Sequence, residues 1–241
     1  MKFNGFIGEF FPIWKSAQTD LVKVERWTPY LKDGIGKKDM RRQSTLQHTH
    51  SFSLFAGTAA KMMAPYLFQQ SYGHQLDLLL LEYAFKWHDH AEGLKGRDII
   101  TPNKRDEDDV VEYIIFMKHI KKLPKVIREE YKLSFLLQFA LNDNKLFDPE
   151  AQDVIDFILL NLHDEAVVFS ALEKFEYLFY PIEMQKKHKY LLTWVIRRQI
   201  SSYQKFAKIL PGFREILFTE SLEEQLLDYL KENKDTPAQQ S

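Results

Sequence analysis

Glycine and proline are scarce in this chain, nine of each in 241 residues, and most of them fall at short breaks. Between the breaks apolar residues recur three and four apart, the period of a helix with one buried face. Breaks fall at Asp33 to Arg42, Ser71-Tyr72-Gly73, Gly93 to Asn103, Pro124, Asn142-Asp143-Asn144, Asp148-Pro149, Pro181 and Pro211-Gly212. They predict one or two helices over about residues 3–31, then helices over about 44–70, 74–92, 104–121, 124–141, 149–180, 183–209 and 221–232. Asp148-Pro149 reads as an N-cap followed by proline at the first helical position. No segment alternates like a half-buried strand, and no hairpin dipeptide joins two such runs. With 45% apolar residues the chain can fill a core. The expectation is an all-α fold, one compact multi-helix bundle over about residues 1–230 with a disordered tail over 231–241.

Charge and cysteine narrow the chemistry. Lys plus Arg number 33 against 34 Asp plus Glu, so no overall excess draws the chain to nucleic acid or to an anionic membrane. The basic clusters Lys37-Lys38 with Arg41-Arg42 and Lys186-Lys187-His188-Lys189 read as solvated faces. There is no cysteine, which excludes disulfides, thiolate-bound zinc, iron–sulfur clusters and cysteine nucleophiles. The N-terminal stretch lacks the apolar core of a secretory signal, and Leu78 to Leu81, flanked by Asp77 and Glu82, is too short to span a bilayer. A cytoplasmic protein is expected.

Three expected helices carry an ionisable residue on an apolar stripe. Leu46, His50, Leu54 and Gly57 share one face. Leu81, Ala84 and His88 share another, with Glu92 a turn further. Leu162, Ala166, Phe169 and Glu173 share a third. A carboxylate on a core stripe is costly unless paired, hydrogen-bonded or metal-bound. Two histidines and a pair of carboxylates converging in a helix bundle would make an oxygen–nitrogen metal site. Each residue also has an ordinary reading, since a histidine on an apolar face is more often a satisfied core residue.

The segment Phe85-Lys86-Trp87-His88-Asp89-His90-Ala91-Glu92-Gly93-Leu94 resembles the signature of HD-domain metal-dependent phosphohydrolases, and is most similar to the branch containing bacterial 5'-deoxynucleotidases. That branch has an early Arg-Trp pair, a His-Ser on a helix, His-Asp-x-x-Glu, an Asp, Thr-Pro-x-Lys and a late Asp. Here Arg26-Trp27, His50-Ser51, His88-Asp89-His90-Ala91-Glu92, Asp98 and Thr101-Pro102-Asn103-Lys104 keep that order, over roughly residues 20–180. Two departures stand out. The interval from Glu92 to Asp98 is one residue longer than in the family pattern, and Glu173 stands where the family has its late Asp.

The resemblance implies one divalent ion (Mn, Co, Fe, Ni or Zn) on His50, His88, Asp89 and Glu173, with His48 the rival to His50 on a different face of the same helix. It implies catalytic acid–base roles for Glu92 and Asp98. Arg26 would clamp a phosphate, Lys104 would add a point charge, and Trp27 would pack on a base or sugar. The expected activity is hydrolysis of a phosphate monoester, a (deoxy)nucleoside 5'-monophosphate. The alternative is a catalytically silent metal- or nucleotide-binding module. His90, His163 and Asp164 offer further donors, but a second metal as in the di-iron oxygenases of this scaffold needs inward histidines on an intervening helix, where only His119 is available. The aromatic segment Phe3, Phe6, Phe10, Phe11 and Trp14 would serve core packing or, alternatively, a homodimer face.

Overall fold

The computed structural model describes residues 20–26, 43–70, 75–96, 104–142, 147–185 and 193–232. A helical turn ending at Lys23 leads into β1 (Glu25–Arg26), which pairs antiparallel with β2 (Gln43–Ser44). The helices follow: α1 (Thr45–Gln70), α2 (Leu78–Trp87), α3 (His90–Lys95), α4 (Asp106–Ile120) and α5 (Lys125–Leu136), with a 3-10 turn at Leu137–Phe139. Then come α6 (Pro149–Asn161), α7 (His163–Glu176), α8 (Phe179–Gln185), α9 (Thr193–Ile209), α10 (Pro211–Ile216) and α11 (Glu220–Glu232). The fold is all-α, and the two-residue ladder is its only sheet among the described residues. Among them no helix is long and apolar enough to cross a membrane.

Helix α1 is the central rod, packed against α2, α7 and α10. Its inner face is Thr45, His48, Thr49, Phe52, Ala56, Ala59, Ala60, Met63 and Leu67, all buried. Small residues there let neighbours come close. A Cβ on Gly212 of α10 would lie 3.2 Å from the Met63 Cα, so that position has little room for a side chain. Phe52, Phe85 and Phe169, from α1, α2 and α7, meet in one aromatic cluster, with centroids of 5.3 Å for Phe52–Phe85 and 5.7 Å for Phe85–Phe169.

Several expected boundaries shift. The segment expected as one helix over 74–92 breaks at His88-Asp89, and that expected over 149–180 breaks at Leu162 (φ −133°, ψ 28°). Glu25 and Arg26, expected as helix, are strand, because they pair with Ser44 and Gln43 of β2, and next to them Val24 C=O accepts from Thr45 N–H. Asp148 caps α6 as its sequence predicts, accepting from Ala151 N–H at 2.8 Å.

Candidate metal centre

On an unbroken helix, adjacent residues point about 100° apart, so His88 and Asp89 could not aim at one spot. The break between α2 and α3 removes that obstacle. His88 keeps the last helical bond, its N–H donating to Ala84 C=O, while Asp89 leaves the helical region at φ −94°, ψ 3°. The His88 carbonyl accepts from the Gln138 side-chain amide at 3.2 Å. With the chain turned this way, His88 Nε2 and Asp89 Oδ2 stand 3.2 Å apart.

The third member is His48, one turn into α1. Its Nε2 lies 3.1 Å from Asp89 Oδ2 and 3.3 Å from His88 Nε2. The three donor atoms therefore form a nearly equilateral triangle, and all three residues are buried. A cation about 2.1 Å from each would subtend angles of about 100°, between the octahedral and tetrahedral values, so the donor set fits a divalent metal in both type and spacing.

The groups behind the imidazoles orient them. His88 Nδ1 donates to the Phe85 carbonyl at 3.0 Å, which leaves Nε2 as the inward lone pair. His48 Nδ1 faces the Glu176 carboxylate at 3.2 Å. Burial and the Arg26 guanidinium push the His48 ring down, but Glu176 and Asp89 outweigh them and the imidazole is pushed up to about 9. Displacing the Nε2 proton is the exchange that metal binding at histidine requires. Burial acts to raise the Asp89 carboxyl, yet His88, Arg26 and His48 hold it well below the usual carboxylate range. Phe52, 4.8 Å from the His88 ring, walls the centre on the core side.

Arg26 reaches the same carboxylate from β1. The ladder, with Thr45 N–H donating to Val24 C=O at 2.9 Å, sets the strand against the start of α1. Arg26 Nη1 then lies 2.6 Å from Asp89 Oδ2 and 3.8 Å from Glu92 Oε2, with Glu92 also buried on α3.

The residues expected from the sequence fall out as follows. His88, Asp89, Glu92 and Arg26 are brought together. His50 is not: it is exposed, two residues out of phase, and lines a groove with Ser53, Lys61, Glu82 and Lys86. The histidine that faces His88 is His48, because the stripe through Leu46 and Leu54 is the outer face of α1, Leu54 being 62% exposed. Glu173 is half-buried and outside the donor triangle; the α7 carboxylate that reaches His48, from behind the triangle, is Glu176, three residues on. The buried stripe of α7 runs Glu165, Phe169, Leu172, Glu176, and that pattern in the sequence could have found it. Lys104 turns away to Asp109 at 2.9 Å and Glu112 at 2.8 Å on α4. Asp98, Trp27 and the aromatic N-terminal segment lie outside the described residues. His163 is exposed, 3.7 Å from Asp164.

Compared with models of protein families, with curated proteins and with solved structures, the chain matches none.

Proposed function

We propose that this chain is a divalent-metal-dependent phosphohydrolase of the HD-domain kind, acting on a phosphate monoester. The observation that carries the reading is the triangle of His48 Nε2, His88 Nε2 and Asp89 Oδ2, with edges of 3.1, 3.2 and 3.3 Å. A divalent ion held there supplies Lewis-acid polarisation of a phosphoryl oxygen and of water. The rest falls to the chain's own groups. Phe85 C=O and Glu176 keep the two imidazoles aimed inward. Arg26 brings a guanidinium to the edge of the donor set, the charge that stabilises a transferring phosphoryl group. Glu92, 3.8 Å from that guanidinium, is placed to orient water or to hand a proton to the leaving oxygen. The Arg26-Trp27 pair favours a (deoxy)nucleoside 5'-monophosphate as substrate, and a cytoplasmic setting goes with that substrate.

A second reading is a catalytically silent metal- or nucleotide-binding module. It is favoured by Arg26 Nη1 standing nearer to Asp89 Oδ2, at 2.6 Å, than either imidazole does. Phosphate release from a panel of 5'-mononucleotides, with Mn²⁺, Co²⁺, Fe²⁺, Ni²⁺ or Zn²⁺ added to metal-stripped protein, separates the two. Turnover that disappears in His88→Ala and Asp89→Asn supports the hydrolase. Metal or nucleotide binding without turnover leaves the silent module, and binding of neither removes both.

A further inference from the structure

Three nitrogens converge on one carboxylate oxygen. Asp89 Oδ2 has His48 Nε2 at 3.1 Å and His88 Nε2 at 3.2 Å, and Arg26 Nη1 nearer than either, at 2.6 Å. The oxygen that completes the triangle therefore already accepts a charged hydrogen bond. With a metal–oxygen bond of about 2.1 Å, an ion on Oδ2 would lie no more than about 4.7 Å from Nη1. Two cations on one buried oxygen oppose each other, and little water is there to screen them. Release of the contact is a matter for the Arg26 side chain, because its backbone is pinned. Arg26 pairs with Gln43 in the β1–β2 ladder, and Val24 C=O accepts from Thr45 N–H at 2.9 Å. The guanidinium has a second carboxylate close by, Glu92 Oε2 at 3.8 Å. A phosphate would offer it more, a dianion whose oxygens match two parallel N–H groups of the fork.

We infer that Arg26 is a built-in counter-ion, seated on the triangle's carboxylate oxygen and drawn off it by a phosphate oxyanion, so that the centre holds its ion tightly only together with a phosphate group. The inference rests on the hydrolase reading of the same centre and adds a regulation to it. Without phosphate, Arg26 compensates Asp89, a buried carboxylate that would otherwise stand alone, and opposes the ion. With phosphate, the guanidinium turns to the new anion and Asp89 is left to the metal. Coupling of this kind is reciprocal, so the ion tightens phosphate by the same factor.

Metal-stripped full-length protein titrated with Mn²⁺, the free ion counted by electron paramagnetic resonance, tests this with and without inorganic phosphate. In wild type, phosphate should tighten Mn²⁺ at least about 5-fold, the lower end of usual couplings. Arg26→Met keeps an unbranched side chain and removes its charge. Without phosphate it should bind Mn²⁺ at least about 5-fold more tightly than wild type, and phosphate should then tighten the ion less. Circular dichroism checks that the variant is folded. Arg26→Lys covers the case in which it is not: a point charge still opposes the ion but grips phosphate without the fork, so phosphate should again tighten Mn²⁺ less than in wild type. Phosphate-free affinity that falls or stays level in Arg26→Met, or phosphate tightening as large in either variant as in wild type, overturns the inference and leaves the metal centre standing. Failure of wild type to bind Mn²⁺ in either condition sinks the centre itself, and this inference with it.

Discussion

The Glu176 carboxylate stands 3.2 Å from His48 Nδ1, on the far side of the ring from Asp89. A carboxylate in that position fixes the ring and strengthens the nitrogen opposite. Glu176→Ala is expected to weaken metal binding about 10- to 100-fold. Glu176→Gln, whose amide oxygen still accepts from Nδ1–H, should lose less. Calorimetric titration of the stripped protein with Mn²⁺ measures both, and equal affinities in all three proteins would mean that Glu176 does not hold His48 for a metal.

The two histidines of α1 make opposite predictions. His48→Ala should abolish metal binding at the triangle, whereas His50→Ala, an exposed side chain, should leave the affinity within about 2-fold, in keeping with a surface substitution. Reversed outcomes would place the ligand on the other face of α1.

Arg26 and Asp89 form a buried pair, with side chains only 7% and 11% exposed. Breaking such a pair leaves an uncompensated charge and costs about 3 kcal/mol. Arg26→Ala should therefore lower the urea midpoint in metal-free protein. Saturating Mn²⁺ should restore much of the difference, because the ion supplies the missing positive charge and binding favours the folded state. A midpoint unmoved by the substitution would show that Asp89 does not depend on Arg26.

Lys104 reads as a stabilising residue of α4. It bridges Asp109 and Glu112, and Glu112 is almost fully buried. Burial pushes the Glu112 carboxyl up despite Lys104 and Lys95. Lys104→Met should cost about 3 kcal/mol at neutral pH, and less in acid, where Glu112 takes up a proton. Urea unfolding at pH 7 and pH 4.5 tests this; unchanged stability with lost activity would return Lys104 to the substrate.

Tyr203 contributes to the alkaline limb. The phenol is buried on α9 and donates to the Lys174 carbonyl at 3.0 Å, and burial pushes its ionisation above the ordinary value near 10. A raised folded value means that its contribution is complete below about pH 10 and is lost as pH rises further. Tyr203→Phe should cost about 1 kcal/mol at pH 7 and flatten the fall in stability above pH 10. Parallel unfolding curves for the two proteins across that range would contradict the assignment.

How much of this the sequence carries differs from element to element. Helix ends marked by proline are readable, and Asp148-Pro149 begins α6 as a cap and first residue should. The His88-Asp89 pair is readable too, but its consequence, a break between α2 and α3, is not, because nothing in the dipeptide opposes helix; the turn is held by tertiary bonds such as that from Gln138. The phase of α1 misleads for a definite reason. Its inner face is rich in Thr and Ala, which carry little hydropathic signal, while its outer face bears the exposed Leu54. Glu173 and Glu176 are about 300° apart on α7, nearly the same face, so period alone does not separate them. That of Lys104 differs again, since its destination depends on how the α4 carboxylates are buried, which only the packed structure reveals.

The contact between His48 and Glu176 spans 128 residues of sequence. Helices such as α1 and α2 can form as soon as they emerge during synthesis, at about 5–20 residues per second. The carboxylate that aims His48 arrives only once α7 has been made, so for several seconds a nascent chain carries its histidines without the group that orients them. Any metal that the triangle takes up would therefore be held at full strength only late in the life of the chain, once α7 has docked onto α1.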